Sequence, residues 1–510
     1  MLADWLQGFL NLLGYQELLF LATGIAIGLF VGILPGIGGT TALILLTPLT
    51  FALDPVQALA LAGGIMGAVP MGGAVTAILL NTPGQTANAV TCLDGYPLAQ
   101  QGKAGLAIGA AASSNALGGL VGAVSILAVI PLANELVMLF GPPELFLLAM
   151  IGLVLVATSS RGGRMFRAIL SALVGLGLAT VGYSDLAGSE RYTFGSEYLW
   201  DGVHLGAALI GLFAVAEMVH LTVKGGSVAK ADAPVAITGM MDGLLASFRH
   251  WRTLLRGSII GTFAGVVPGV GGTVASFLSY SLTVQASKEP ETFGKGNVQG
   301  IIATEAAINA KDGSMLVPTL AFGIPGTPEM AVFMSILVLH GMQPGPLMLL
   351  KNREEIYSLV WALTAACLIA SLIGLLLARP LAGLTRVDVH ILAPLIIALS
   401  FAGSFAIDLE LGNLIVTAAF GVLGYLMIVL NYPRLPLVIG IVLGGVAERT
   451  FLQSMMISDG DISIFVNRTT CQILLAGMAA AFLWPRLMKR LGGRRQDVGL
   501  TPSKTLGDRR

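Results

Sequence analysis

Charge is the property that this sequence has least of. Asp, Glu, Lys and Arg make up only 11% of the 510 residues, and the formal net charge is zero. A soluble domain of this length needs roughly twice that share of charged residues to cover its surface. The composition therefore argues against a soluble protein, and the neutral balance predicts no nucleic-acid partner.

Residue patterns that mark metal sites and catalytic centres are also missing. The three cysteines share no CxxC spacing, and the five histidines lack the spacing of a zinc motif. Neither a GxxxxGK[ST] phosphate loop nor a GxSxG nucleophile motif occurs. We therefore predict no catalytic residue, no cofactor and no resident metal. The first ten residues include Asp4 and no basic residue, so we do not expect a cleaved signal peptide.

Apolar sequence is abundant instead. Hydrophobic residues fill 55% of the positions, and the mean hydropathy is +0.84. Apolar stretches of roughly 18 to 25 residues recur along the chain, and each is long enough to span a bilayer. We therefore predict an all-α integral membrane protein, a polytopic helical bundle surrounded by membrane lipid.

Two blocks of sequence occur twice. Residues 24–42 align without a gap with residues 257–275 at an offset of 233, and residues 81–84 align with residues 323–326 at an offset of 242. A weaker match sets Val-Ala-Glu at 215–217 against 446–448. Such collinear matches indicate a duplicated unit. The predicted organisation is a first repeat (1–225), a cytoplasmic linker (226–253), a second repeat (254–455), an extra C-terminal transmembrane helix (456–487) and a cytoplasmic tail (488–510).

Loop charges predict that the two copies have opposite orientations. The loop near 160–167 carries three arginines, whereas the next loop, near 184–201, carries four acidic residues and one arginine. The corresponding loops of the second half alternate in the opposite sense. Because basic loops stay in the cytoplasm, we expect an inverted-topology repeat with 160–167 and the C-terminal tail inside and 184–200 in the periplasm.

Each copy contains two Pro-Gly breaks in otherwise apolar helix. Inverted repeats with interrupted helices are typical of secondary transporters, and a broken helix offers free backbone groups and a positive N-terminus to an anion. The alternative is a kink or a small-residue packing face. We predict a common substrate and ion site at the four breaks, formed by Pro35, Gly36, Gly38, Gly39, Thr40, Asn81, Thr82, Pro83, Gly84, Gln85, Pro268, Gly269, Gly271, Gly272, Thr273, Gly323, Pro325, Gly326 and Thr327.

The second copy has gained polar residues that the first copy lacks. At the offset of 242, Gly63, Gly67, Val69 and Pro70 correspond to Glu305, Asn309, Lys311 and Asp312. Ionisable residues at membrane depth either line a pathway or pair with one another to lock helices together. We add Asn309, Lys311 and Asp312 to the predicted site, and we expect Lys311 to contact substrate or to pair with Asp312 or Glu305.

Four phrases carry a family resemblance: GILPGIGGTTA (32–42), LLNTPG (79–84), GVVPGVGGT (265–273) and EAAINAKDGSMLVPTLAFGIPG (305–326). Together they resemble the large membrane subunit of the bacterial tripartite tricarboxylate transporters. The resemblance implies an inner-membrane permease that works with a small membrane subunit and a periplasmic solute-binding protein. It also implies uptake driven by an ion gradient without an ATPase.

The function expected from these observations is symport of an organic di- or tricarboxylate with Na⁺ or H⁺. A coupling Na⁺ would lie at the same four breaks. Two alternatives remain open at this point. The same broken helices suit a gated anion channel, and an intramembrane enzyme is the less favoured reading.

Overall fold

The computed structural model describes residues 2–34, 38–81, 83–132, 141–159, 165–184, 188–224, 238–268, 271–345, 347–378, 380, 389–406 and 409–476. The predicted tail, 488–510, lies outside these ranges. So do Pro35, Gly36, Thr82 and Gly269 among the predicted site residues.

The described part of the chain is almost entirely helical. The α-helices are α1 (Leu2–Leu12), α2 (Tyr15–Ile33), α3 (Gly38–Thr50), α4 (Pro55–Leu80), α5 (Thr91–Gln100), α6 (Ala104–Val129), α7 (Pro142–Ser159), α8 (Met165–Ala179), α9 (Leu205–Leu209), α10 (Ala216–Lys224), α11 (Met240–Arg249), α12 (Trp251–Val266), α13 (Gly271–Ala286), α14 (Val298–Ser314), α15 (Leu316–Phe322), α16 (Pro328–Leu339), α17 (Met348–Lys351), α18 (Arg353–Leu376), α19 (Val389–Ala406), α20 (Leu411–Val429), α21 (Arg434–Ile457) and α22 (Ile464–Asn467). A π-helical segment, Ile210–Val215, joins α9 to α10, and a 3₁₀ turn, Thr86–Ala89, precedes α5.

This architecture confirms the predicted fold class. Six described helices, α2, α4, α6, α18, α20 and α21, are long and apolar enough to cross a membrane. Helix α4 is the most deeply buried of them, with 94% of its apolar window inside the protein. One feature was not expected from the sequence: a short antiparallel hairpin pairs β1 (Gly182–Ser184) with β2 (Ser189–Arg191).

The two copies pack their glycine-rich helices in the same register. Each glycine of α2 and α12 faces a backbone carbonyl so closely that a Cβ atom would not fit. The pairs are Gly24–Leu61, Gly28–Ile65 and Gly32–Val69 in the first copy and Gly257–Ala303, Gly261–Ala307 and Gly265–Lys311 in the second. The partners differ by 242 residues in every pair, as in the sequence alignment. This agreement supports a common unit, while the repeat boundaries and the inverted orientation stay predictions.

Backbone conformation recurs at the breaks as well. Gly38 and Gly271 open α3 and α13 with φ of 64° and 65°. Asn81 and Gly323 follow α4 and α15 with φ of 53° and 66°. Only glycine and asparagine adopt this left-handed conformation at low cost. These residues therefore mark where one helical segment ends or the next begins.

Candidate functional site

The four breaks meet around one cavity of about 500 Å³. Its lining comes from both copies and from several helices that are distant in sequence. The residues are Gly38, Gly39, Thr40 and Thr41; Pro83, Gly84, Gln85, Thr86 and Ala87; Gly271, Gly272 and Thr273; Gly326, Thr327, Pro328 and Glu329; and Phe213, Glu217, Lys311, Arg434 and Leu435.

Three α-helices begin at this cavity. The first residues of α3, α13 and α16 all belong to the lining. The N-terminal N–H groups of a helix have no partner within the helix and carry a partial positive charge. At α16 the Thr327 hydroxyl accepts one of these bonds, from the N–H of Met330 at 3.2 Å. Three helix N-termini converging on one cavity form a place where an anion is stabilised.

The charged side chains of the lining balance one another. Lys311 forms an ion pair with the carboxylate of Asp312, which is not part of the lining. Arg434 donates to Glu217 at 2.9 Å and to the carbonyl of Leu212 at 3.0 Å. Lys311 and Arg434 are thus matched by Glu217 and Glu329 within the lining. The helix N-termini therefore attract an anion directly. Lys311 and Arg434 can do so only when the ligand competes with their present partners, Asp312 and Glu217.

The structure brings together twelve of the residues that the sequence predicted for the site. They are Gly38, Gly39, Thr40, Pro83, Gly84, Gln85, Gly271, Gly272, Thr273, Lys311, Gly326 and Thr327. Six others lie outside the lining: Asn81, Pro268, Asn309, Asp312, Gly323 and Pro325. Of the expected partners for Lys311, the ion pair uses Asp312. Glu305 lies instead in a separate polar cluster.

That cluster is buried between α14, α5 and α6. Glu305 accepts a hydrogen bond from Asn88 at 3.1 Å and another from the Thr91 hydroxyl. Asn309, one turn further along α14, donates to Asn115 of α6 and to the Glu305 carbonyl. Polar side chains at this depth are retained only when they have hydrogen-bond partners or a function.

Sequence reasoning missed Glu217, Glu329 and Arg434. Glu329 had a usable signal, because it is an ionisable residue in the first turn of an apolar helix that follows a break. Glu217 had a weaker signal, because it is the last residue of the Val-Ala-Glu match between 215–217 and 446–448. Arg434 had no comparable signal, because it reaches the cavity only through the packing of α21 against helices distant in sequence.

The fold and the cavity define a class: polytopic membrane proteins whose broken helices surround a binding-sized cavity. The chain belongs to the tripartite tricarboxylate transporter TctA family, whose sequence model matches residues 18–439. It is therefore the large subunit of a tripartite transporter, as the four phrases suggested.

Two relatives come from Agrobacterium vitis. An uncharacterized 52.8 kDa protein in the TAR-I ttuC′ 3′ region is 34% identical over 485 residues, which cover 93% of this chain and 94% of the relative. An uncharacterized protein in the TAR-II ttuC′ 3′ region is 32% identical over 243 residues, 47% of this chain and 98% of the relative. No solved structure matches the chain.

Proposed function

We propose that this protein is the permease of a binding-protein-dependent secondary transporter that imports an organic di- or tricarboxylate across the bacterial inner membrane. The observation that carries the proposal is the convergence of three helix N-termini on one cavity beside Lys311 and Arg434. The family supports a small membrane subunit and a periplasmic solute-binding protein as partners. The positive-inside rule favours a cytoplasmic C-terminus.

The size and polarity of the cavity fit such a ligand. Its volume of about 500 Å³ falls in the range of roughly 300 to 1,000 Å³ that small-molecule sites occupy. Each helix N-terminus stabilises a carboxylate by about 0.3 to 1 kcal/mol when exposed, and by up to about 2 kcal/mol when partly buried. A ligand with two or three carboxylates reaches several of these N-termini at once, whereas a monocarboxylate reaches fewer.

Transport by alternating access follows from the way the breaks are arranged. The hairpins of both copies contribute to the same cavity, so a movement of one copy against the other closes one entrance and opens the other. Na⁺ or H⁺ moving down its gradient drives net uptake, and no nucleotide is consumed. This reading makes the protein a carrier and not an enzyme.

Counterflow tests the proposal against the rival reading of a gated anion channel. The permease is reconstituted with its small membrane subunit and binding protein in vesicles loaded with one unlabelled di- or tricarboxylate from a panel. A carrier concentrates the labelled compound transiently by exchange. A channel only dissipates the gradient, and that outcome would overturn the proposal.

A further inference from the structure

Glu305 is a buried acid that the cavity does not use. It is 0% exposed and lies on α14 outside the lining. In the described part of the chain, the ion pairs use other carboxylates, and no Lys, Arg or His forms one with Glu305. Burial of an uncompensated carboxylate costs several kcal/mol, on the order of the total stability that a whole domain has to spare. Glu305 therefore needs a positive partner or a proton.

The hydrogen bonds of Glu305 show which of the two fits. Its Oε1 accepts from the Asn88 amide and from the Thr91 hydroxyl. Among the described residues, its Oε2 has no hydrogen-bond partner, and neither does the Oδ1 of the same Asn88 amide. Both orphaned atoms are acceptors when the carboxylate is ionised, so they cannot bond to each other. The Asn88 amide already donates to Glu305 Oε1, so a proton on Oε2 turns that oxygen into a donor for which Asn88 Oδ1 is an unpartnered acceptor on the same amide.

A metal ion fits the same atoms less well. Hard cations take about six oxygen ligands or more, whereas the described side chains leave two oxygens of this cluster without a partner, Glu305 Oε2 and Asn88 Oδ1. The other carboxylate oxygen, Glu305 Oε1, already accepts two hydrogen bonds, from Asn88 and Thr91. Two free acceptors are what one shared proton requires.

We propose that Glu305 is a proton-binding site, neutral in this conformation, and that loading and release of its proton couple carboxylate transport to the proton gradient. The coupling of transport to Glu305 rests on the proposed function and identifies H⁺ as the coupling ion. The protonation part stands on the geometry of Glu305 and Asn88 alone.

A polar stripe on α14 connects this site with the cavity. Glu305, Asn309 and Asp312 follow one another at i, i+4 and i+7, so they share one face of the helix. Asp312 pairs with Lys311 of the cavity lining, and its Oδ2 has no partner among the described residues. The stripe is a route by which occupancy of the cavity and protonation of Glu305 influence each other.

The titratable groups on neighbouring elements leave Glu305 without a competing charge in contact. Helices α4 and α6 carry none along their described lengths. The other helices packed against α14 carry Cys92, Asp94 and Tyr96 on α5, Asp242 and Arg249 on α11, Arg252 and Arg256 on α12, Tyr280 on α13, and Arg353, Glu354, Glu355, Tyr357 and Cys367 on α18. Asp94 accepts from Tyr280 and from three backbone N–H groups, so its own hydrogen bonds hold it in place.

Infrared spectroscopy of the permease in lipid tests the protonation directly. The wild-type protein is expected to show the C=O stretch of a buried, protonated carboxylic acid, which persists near neutral pH, shifts in D₂O and is lost in Glu305→Gln. The exposed Glu291→Gln is the matched control and keeps the band. Asn88→Ala removes the amide partner and is expected to shift the band. The proposal is overturned if no such band is seen, if the band persists in Glu305→Gln, or if Asn88→Ala leaves it unchanged.

Reconstituted vesicles of the complete transporter test the coupling. The Gln side chain mimics the protonated acid, so Glu305→Gln is expected to keep carboxylate counterflow and to lose accumulation driven by a pH gradient. Accumulation that still follows the pH gradient in Glu305→Gln contradicts proton coupling at this site, and so does wild-type accumulation that responds only to a Na⁺ gradient. If wild type moves no carboxylate of the panel, the proposed function fails, and the infrared titration still decides whether Glu305 holds a proton.

Discussion

The two copies share a backbone scaffold at the cavity but differ in its chemistry. In the first copy, a Cβ at Gly39 would meet the Glu329 carboxylate, with Val69 beside it. In the second, a Cβ at Gly272 would meet Ala87 at 3.2 Å, with Lys311 beside it at 3.6 Å. Glu329 corresponds to Ala87, and Lys311 corresponds to Val69, at the offset of 242. Both charges therefore belong to the second copy, although they lie beside different hairpins.

This difference separates two roles within one duplicated unit. The helix N-termini and the left-handed residues Gly38 and Gly271 recur in both copies, so both supply the geometry of the cavity. Lys311 and Glu329 differ in this respect, because their counterparts in the first copy, Val69 and Ala87, are apolar. The charge arrangement of the cavity is consequently asymmetric, and variants at paired positions should have unequal effects.

The largest effect is expected from Lys311→Met. Removing one partner of a buried ion pair costs about 3 to 5 kcal/mol, since it leaves Asp312 uncompensated. We expect uptake to be abolished and thermal stability to fall. The counterpart change Val69→Met, which adds no charge defect, is the control and should retain most uptake.

A double variant separates the two contributions of Lys311. Lys311→Met with Asp312→Asn removes both charges, so thermal stability should recover. Uptake should stay absent, because the cation beside the ligand is still missing. If uptake recovers together with stability in the double variant, the ion pair only holds the helices together. If the single variant Lys311→Met keeps full uptake, Lys311 is not part of the binding site.

The next largest effect is expected from the paired glycines. In Gly39→Ala, the new Cβ collides with the Glu329 carboxylate and forces it to move. In Gly272→Ala, the nearest atom is the Ala87 methyl at 3.2 Å, which needs only a small adjustment. The displaced Glu329 carboxylate belongs to the cavity lining, so Gly39→Ala should lower uptake clearly more than Gly272→Ala. Equal loss in both variants, measured at equal expression, would contradict the asymmetry.

The sequence predicted the backbone of the site better than its charges. Pro and Gly fix local conformation, so the breaks near Pro83 and Pro325 could be found without knowledge of packing. Glu217 and Arg434 reach the cavity only through tertiary packing, which no local pattern encodes. Packing also changes the interpretation of Gly84, because a Cβ there would strike the Gly32 carbonyl. A larger residue at Gly84 would therefore disturb the packing of the break in addition to any effect on a ligand.

The smallest effects are expected from two ion pairs that join the copies. Glu217 of the first copy pairs with Arg434 of the second at 2.9 Å and lines the cavity. Glu448, which matches Glu217 in the repeat, pairs with Arg191 of the first copy at 2.6 Å beside a separate cavity of about 360 Å³. Both pairs are partly exposed, so either contributes only about 0 to 1 kcal/mol to stability. Arg434→Gln and Arg191→Gln should therefore unfold at nearly the same temperature.

Transport should nevertheless distinguish the two arginines. Arg434 lies where a carboxylate of the ligand would replace Glu217 as its partner, and a charge-assisted hydrogen bond contributes about 1.5 to 3 kcal/mol. Arg434→Gln is thus expected to raise the concentration needed for half-maximal uptake by about tenfold, equivalent to about 1.4 kcal/mol. Arg191→Gln has no such contact to lose and should leave that concentration within about twofold of wild type. Concentration-dependent uptake in reconstituted vesicles measures both, and an equal shift in the two variants would mean that Arg434 acts by joining the copies and does not contact the ligand.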